Sequence, residues 1–357
     1  LGVLANPDIK WEEARKFDVG VDLKLWNNKI DITSDYFIET RYNLLIPGGS
    51  LQVSGITGVG GPGGQSPTVN AGATKNTGIE FAIGYNEKIG KDFSFALNYN
   101  FTTIKNVVTK VTDARGIIES GSFGVGQQPI ARMEEGQSIG YFYGLQTDGI
   151  FQNQAEVDAA PSQLALGAQA APGDIRYKDV NGDGVINLED RTKVGSPLPK
   201  FTMGFNLQLN YKNLDFAAYS YASVGNDMVR NYERSLSDVN RLNYVLDRWT
   251  GEGTSNTVPR VTTDATTNNL FSNYFVEDAS FFRIQNIQLG YTLNSTFSKK
   301  AGISKLRLYA SVNNVYTFTK YRGFDPTASS GAAIGGGIDY GFYPAPRVYM
   351  FGVNLNF

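Results

Sequence analysis

Tyr349-Met-Phe-Gly-Val-Asn-Leu-Asn-Phe357 closes the chain, and its reading decides the fold. Tyr349, Phe351, Val353, Leu355 and Phe357 fall on one face of an extended strand, and Met350, Gly352, Asn354 and Asn356 on the other. One face is wholly apolar, the other small or amide, and neither carries a charge. An apolar terminal edge strand frays and aggregates in a soluble protein. In a transmembrane barrel the last strand pairs with the first and its outer face meets lipid. The stretch therefore points to an all-β fold, the C-terminal part of an antiparallel transmembrane β-barrel.

The same alternation recurs upstream. Phe17, Val19, Val21, Leu23 and Leu25 oppose Asp18, Gly20, Asp22 and Lys24, and Asn27-Asn28 makes a tight turn. Ile30, Ile32, Tyr36, Ile38 and Tyr42 then oppose Asp31, Thr33, Asp35, Glu39 and Arg41. These runs exceed the ~5–6 residues usual in soluble proteins and suit the ~9–11 of a tilted membrane strand. No charge interrupts either apolar stripe, where a cation at mid-bilayer would cost ~2–4 kcal/mol. Further stripes run through Ile79–Tyr85, Phe93–Phe101, Phe201–Tyr211, Leu214 to about Tyr221, Phe282–Leu293 and Leu306–Val312. Within Phe282–Leu293 the apolar phase slips between Ile284 and Ile287, which a β-bulge near Gln285-Asn286 would absorb. With the terminal strand this makes nine spanning strands.

Connections alternate between short (27–29, 88–92, 212–213, 294–304) and long (46–74, 112–198, 227–272, 320–345). Barrels place short turns in the periplasm and long loops outside, which puts the C-terminus in the periplasm and residues 1–12 as an extracellular lead-in to a barrel portion spanning 13–357. An odd strand count, and an opening at Leu1 without a signal sequence, lead to the expectation of an odd number of strands upstream. The strand-like stretch Ile139–Phe151 would break this parity if it spanned, so it is placed inside an outer loop. Ser235–Trp249 spaces Leu236, Val239, Leu242, Leu246 and Trp249 at helical intervals, predicting a short helix in the next loop.

Composition excludes much else. The 357 residues carry a net charge of −2, which draws them to no polyanion, and the basic residues form no aromatic-interleaved strip for nucleic acid. Zero Cys and zero His remove thiolate and imidazole catalysis and metal ligation. Neither Glu12-Glu13 nor Glu134-Glu135 builds a hydrolytic cleft, and no enzyme is expected. Mean hydropathy of −0.25 fits a barrel that turns every second residue to its lumen. Gly58-Val-Gly-Gly-Pro-Gly63 matches a phosphate-loop pattern formally, but with Pro inside and no helix after it reads as a loop. The sharpest local motif is Asp179-Val-Asn-Gly-Asp-Gly-Val-Ile-Asn-Leu-Glu-Asp190, a calcium-loop pattern. Asp179, Asn181, Asp183, the Val185 carbonyl, Asn187 and Asp190 are its candidate ligands for a structural calcium ion, with Asp190 where the longer Glu is usual. The competing reading is an acidic turn without metal.

Several blocks in order resemble the SusC/RagA-type TonB-linked outer-membrane transporters of Bacteroidetes: Asn6-Pro-Asp-Ile-Lys-Trp-Glu12 with the following Phe17–Leu23 strand, Asn76-Thr-Gly-Ile-Glu80, Gly173-Asp-Ile-Arg-Tyr-Lys-Asp-Val-Asn-Gly-Asp-Gly184, Gly195-Ser-Pro-Leu-Pro-Lys-Phe201, Phe281–Tyr291, Asn313-Asn314 and the terminal strand. The resemblance implies a plugged barrel of the 22-strand class, leaving roughly thirteen strands upstream. It also implies import of oligosaccharides or peptides with a SusD-like surface lipoprotein, driven by the TonB complex through the N-terminal part. The family's plug domain and TonB box have no counterpart in these residues. A barrel serving as structural anchor in a larger surface assembly, and a soluble calcium-binding β protein, are the rival readings.

Overall fold

A computed structural model of the chain describes residues 6–46, 68–124, 127–233, 240–293 and 302–357. Nine long strands form one sheet: β1 (Glu13–Leu25), β2 (Ile30–Tyr42), β3 (Gly72–Ile89), β4 (Phe93–Val111), β5 (Phe201–Tyr211), β6 (Leu214–Val224), β7 (Phe281–Thr292), β8 (Lys305–Thr319) and β9 (Val348–Asn356). They pair in chain order and every neighbour is antiparallel. The sheet is thus an uninterrupted meander, the connectivity of an up-and-down barrel wall.

Register carries the apolar face across the whole wall. Leu23 stands opposite Ile32, Ile32 opposite Ile83, and Tyr85 opposite Leu97. Leu97 then opposes Leu207, Phe216 opposes Leu289, and Leu308 opposes Val353. Among the described residues nothing covers this face: Val21 is 57% exposed, Leu289 53% and Phe351 86%. Packed apolar interiors of the described residues lie elsewhere, in the long connections beyond one end of the strands. The outward rows are consequently the surface that meets hydrocarbon. No described helix is long and apolar enough to cross a membrane.

The expected bulge is present. Tyr219 pairs with Asn286 but Ser220 with Ile284, so Gln285 is the extra residue, and the break repeats against β8. It returns Phe282 and Ile284 to the outward phase of Ile287, Leu289 and Tyr291. The short turns also form where expected. Asn27 and Asn28 take left-handed φ of 55° and 64°, a conformation Asn tolerates, and Trp26 joins them at 52°. The 88–92 turn is tighter than its sequence indicated, because β3 runs to Ile89. Residues 294–301 of the 294–304 connection, the Gly58–Gly63 stretch and Leu236 and Val239 lie outside the described residues.

β3 and β4 are 18 and 19 residues long and run past their apolar stripes through Thr74, Asn76 and Asn106 to the connections expected at 46–74 and 112–198. One expectation needs correction. Ser235–Trp249 holds only a short 3-10 turn at Asn243–Asp247 among its described residues. Leu242 gives that turn no side-chain cap and Leu246 is 77% exposed, so among the described residues the apolar spacing makes no buried helical stripe. Ile139–Phe151 stays outside the nine-stranded sheet, its strands Tyr141–Gly144 and Thr147–Ile150 belonging to small sheets of the loops.

Since Leu207 faces outward between Leu97 and Ala218, Leu207→Lys should cost about 2–4 kcal/mol when folding in lipid vesicles is followed by urea titration. Gln208→Lys, on the opposite face of the same strand, should cost well under half of that.

Candidate functional site

The inward face of the wall is mostly polar, interrupted by residues such as Phe37, Ala217 and Met350, and changes character around the arc. On β1–β3 it carries Asp18, Asp22, Asp35 and Glu80, with Asp35 directly opposite Glu80. On β4, β5 and β7 it becomes amide: Asn98 opposes Asn206, with Asn100, Gln208, Asn210, Gln288 and Asn286, while β6 between them turns Asp215, Ala217 and Tyr219 inward. Charges that do occur here are paired. Arg307 on β8 reaches across β7 to Asp215 on β6, its Nε donating at 2.8 Å, and the pair lies over Gly290, where any side chain would collide with it. Tyr309 lies in the same way over Gly352 of β9. Small residues in the wall thus seat long polar side chains of their neighbours flat against it.

Beyond the strand ends the long connections pack together into a folded cap. Phe142, Val229, Phe271 and Ile338, drawn from three different connections, form one buried cluster. The strand Asp227–Arg230 joins Val276–Asp278 on one side and Ile338–Asp339 on the other. Ion pairs also tie these segments. The Arg260 guanidinium grips both oxygens of buried Asp174, at 2.7 and 3.1 Å. Arg230, its side chain wholly buried, donates to Glu277 at 2.7 Å and stacks on Tyr244. Arg322 shares Glu277 from the other side. A cavity of about 680 Å³ lies above this cluster, walled by Arg230, Tyr244, Arg260, Leu270 and Tyr274. Its size is that of a small-ligand pocket.

Asp325, in the connection after β8, accepts from Arg283 of the wall at 2.6 Å and from the Thr327 amide and hydroxyl. Burial alone would raise its carboxyl, but Thr327 and Arg283 outweigh it and hold it below the ordinary carboxylate range. Its contribution is therefore complete above the unfolded-state value and is lost only as pH falls through the depressed one. Tyr321 donates to buried Asp339 at 2.7 Å, and burial with that bond pushes its phenol far up.

The sequence-derived calcium ligands all lie on one loop of the cap. Asp179 accepts from the amides of Gly182 and Gly184, Asn181 from Asp183, and Asp183 from Val185. Asn187 caps a 3-10 turn by accepting from Glu189, and Asp190 closes the loop. Asp190 is fully buried and accepts from Val180, Asn181 and Asn187. Val185 belongs to the loop through a bridge to Ser162. Among the described residues no three acidic side chains converge on one point, each Asp here being turned onto loop amides. Gly182 and Gly184 sit at φ of 76° and 83°, which only such a residue adopts without strain. Sequence reading missed the helix α1 (Gln154–Ala159), although Asn153 capping the Glu156 amide announces it.

Comparison with known proteins places this wall. The family described as TonB dependent receptor-like, beta-barrel matches residues 2–315. The chain belongs to that family. It is a family of outer-membrane receptors and transporters, not of enzymes. TonB-dependent receptor P3 of Formosa agariphila is 32% identical over 365 residues, covering 99% of this chain and 35% of that protein. TonB-dependent receptor SusC of Bacteroides thetaiotaomicron is 26% identical, covering 99% of this chain and 32% of its own length. The chain therefore spans about a third of the curated relatives it matches. The solved structure titled "Structure of the RagAB peptide transporter" superposes with a TM-score of 0.76 at 24% identity, over 99% of this chain and 36% of that one, a likeness of fold. This TonB-dependent receptor barrel thus presents an outer-membrane wall, a polar lumen face and a folded cap.

Replacing Asp190 by Ala strands three loop amides, each worth about 1–3 kcal/mol if left without a partner. Hydrogen exchange at Val180, Asn181 and Asn187 should accelerate by on the order of tenfold or more, while exchange in β5 and β6 stays unchanged.

Proposed function

We propose that this barrel is part of an importer of nutrient oligomers, oligosaccharide or peptide, working with a SusD-like surface lipoprotein and driven by the TonB complex through the N-terminal part of the protein. The observation that carries this reading is the predominantly polar inward face of the nine-stranded sheet beneath a folded cap. An anchor needs only the outward face, whereas a passage needs an inner wall that water and solute can wet. The family membership supports the same reading, as do a relative named SusC and a structural neighbour described as a peptide transporter. The cap faces outward and the short turns face the periplasm, following the loop asymmetry of such barrels.

Deleting the gene should abolish growth on one class of oligosaccharide or peptide and spare growth on its monomers. The detergent-extracted protein should bring down a surface lipoprotein. Unimpaired uptake of every oligomer, with stable attachment to unrelated subunits, would establish the anchor reading instead.

Calcium in the Asp179–Asp190 loop is a second proposal. Each oxygen bonded to one amide keeps a free lone pair, and the donor set is all oxygen, which suits a hard cation. Asp179, Asn181, Asp183, the Val185 carbonyl, Asn187 and Asp190 would hold it, adding a cross-link to the loop and no chemistry. Calcium titration of the purified protein should give one binding isotherm and raise Tm. Asp183→Asn should weaken both, and heat-flat titrations with unchanged Tm would exclude the site.

A further inference from the structure

Four short strands of the connection between β4 and β5, Ile117–Ser120, Ala131–Glu134, Tyr141–Gly144 and Thr192–Gly195, pair into one small sheet. Its register sorts side chains onto two faces of opposite character. Ile118 opposes Met133 and Ala131 opposes Phe142, and all four are buried. On the other face Glu119 opposes Arg132, Arg132 opposes Tyr141, and Lys193 opposes Tyr143. Arg191, two residues before Lys193, continues that row.

The apolar face is turned onto the wall. Ile118, Ala131 and Met133 share a cluster with Val108, which pairs with Thr74 in the inward phase of β3 and β4. Asn106, in the same phase, accepts from the Ile139 amide at 2.8 Å, and the Val108 amide donates to the Gln137 carbonyl at 2.8 Å. The small sheet is thus fixed to the lumen side of the wall at the top of β4. Its polar face looks away from the wall, toward the space that the barrel encloses.

Cations dominate that polar face, and two of them lack a counter-ion. Arg132 donates to Glu119 at 2.9 Å, Tyr141 donates to Glu134, and Lys193 reaches only the Gln137 amide oxygen at 3.2 Å. Arg191 donates through Nη2 to two neutral carbonyls, of Pro129 at 2.8 Å and Tyr143 at 3.3 Å. Among the described residues no carboxylate pairs with Arg191, and Glu119 nearby is already taken by Arg132. Both guanidinium groups lie over the Tyr143 ring, Arg132 at 3.4 Å and Arg191 at 4.7 Å from its centroid. The ring attracts each by about 0.5–2 kcal/mol and so holds together two like charges that repel. An oxyanion completes such a pair, because each planar fork offers parallel N–H groups to two oxygens at once.

We propose that Arg191, Arg132 and Lys193 form an oxyanion site at the lumen mouth, taking the carboxylate or sulfate group of an acidic oligosaccharide. Naming the anion as cargo rests on the importer reading; the anion site itself does not. A saccharide fits better than an acidic peptide, because the apolar face of the sheet is taken up by the wall and offers no socket to peptide side chains. Below the sheet, β4 continues inward in Asn100 and Asn98, whose amides suit hydroxyl groups.

Arginine modification by p-hydroxyphenylglyoxal, read peptide by peptide by mass spectrometry on the detergent-extracted full-length receptor, tests the site without cargo. Sodium sulfate should slow modification of Arg191 about fivefold or more relative to sodium chloride of equal ionic strength. Arg307, held by Asp215, should react alike in both salts. Equal Arg191 rates in the two salts would show that this guanidinium only braces Tyr143, and would overturn the site. A uronate oligosaccharide or a sulfated one should protect Arg191 at lower concentration than free sulfate, the stronger of the two identifying the carboxylate or the sulfate as the source. A neutral maltooligosaccharide should not protect. Stronger protection by poly-glutamate than by either acidic oligosaccharide would overturn the saccharide assignment in favour of acidic peptide. Arg191→Gln, at parental surface amount, should slow growth on the best-protecting oligosaccharide, and Arg191→Lys, which keeps the charge but not the fork, should slow it less. Parental growth of Arg191→Gln would overturn the cargo role. If sulfate protects Arg191 while gene-deleted cells still take up every oligomer, the importer reading alone falls.

Discussion

A backbone amide has no partner in hydrocarbon other than another backbone group, and the rest of this structure depends on that constraint. Each unpaired group costs several kcal/mol, so strands can cross a bilayer only as members of a continuous ladder. The nine-stranded meander meets the demand strand by strand, with each strand bonded to the one before and after it in the chain. Side-chain chemistry follows from the ladder and its period of two. Once one residue of β1 points at lipid, pairing alone fixes the direction of Leu97, Leu207, Leu289 and Phe351 several strands away.

Such coupling makes a single slip serious: with unbroken alternation β7 would present either Arg283 or Asn286 to lipid. The bulge at Gln285 prevents this by absorbing one residue where β7 passes between β6 and β8. The inward face is subject to a different constraint, the space available to long polar side chains beside a curved wall. Gly290 beneath Arg307 and Asp215, and Gly352 beneath Tyr309, supply that space. The glycines that alternation alone reads as merely small are in this sense the seats of the lumen side chains.

The wall was legible because its signal is local and repeated. Alternation in Phe17–Leu25 or Phe201–Tyr211 needs no knowledge of a partner, and even the bulge shows as a broken phase between Ile284 and Ile287. Strand ends were less legible, since the extensions of β3 and β4 run through Thr74, Asn76 and Asn106, which carry no apolar stripe. The cap was largely hidden. Its ties join residues far apart in the chain, Asp174 with Arg260 across 86 positions and Arg230 with Glu277 across 47. Nothing near either residue announces its partner. The helical spacing around Leu242 and Leu246 misled for the same reason, because the neighbours that decide its conformation come from elsewhere. The Asp179–Asp190 loop is the exception within the cap: its bonds are made between residues two to ten apart, so its winding could be read directly.

The amide band from Asn98 through Asn206 to Gln288 has a consequence for anything that moves along it. A primary amide both donates and accepts, and carries no net charge. A molecule lying against such a surface can exchange one bond for the next without first breaking free of a fixed ion, so the barriers to sliding stay low and nearly uniform. The band thus offers hydrogen bonds without favouring either sign of charge, unlike the carboxylates of β1–β3.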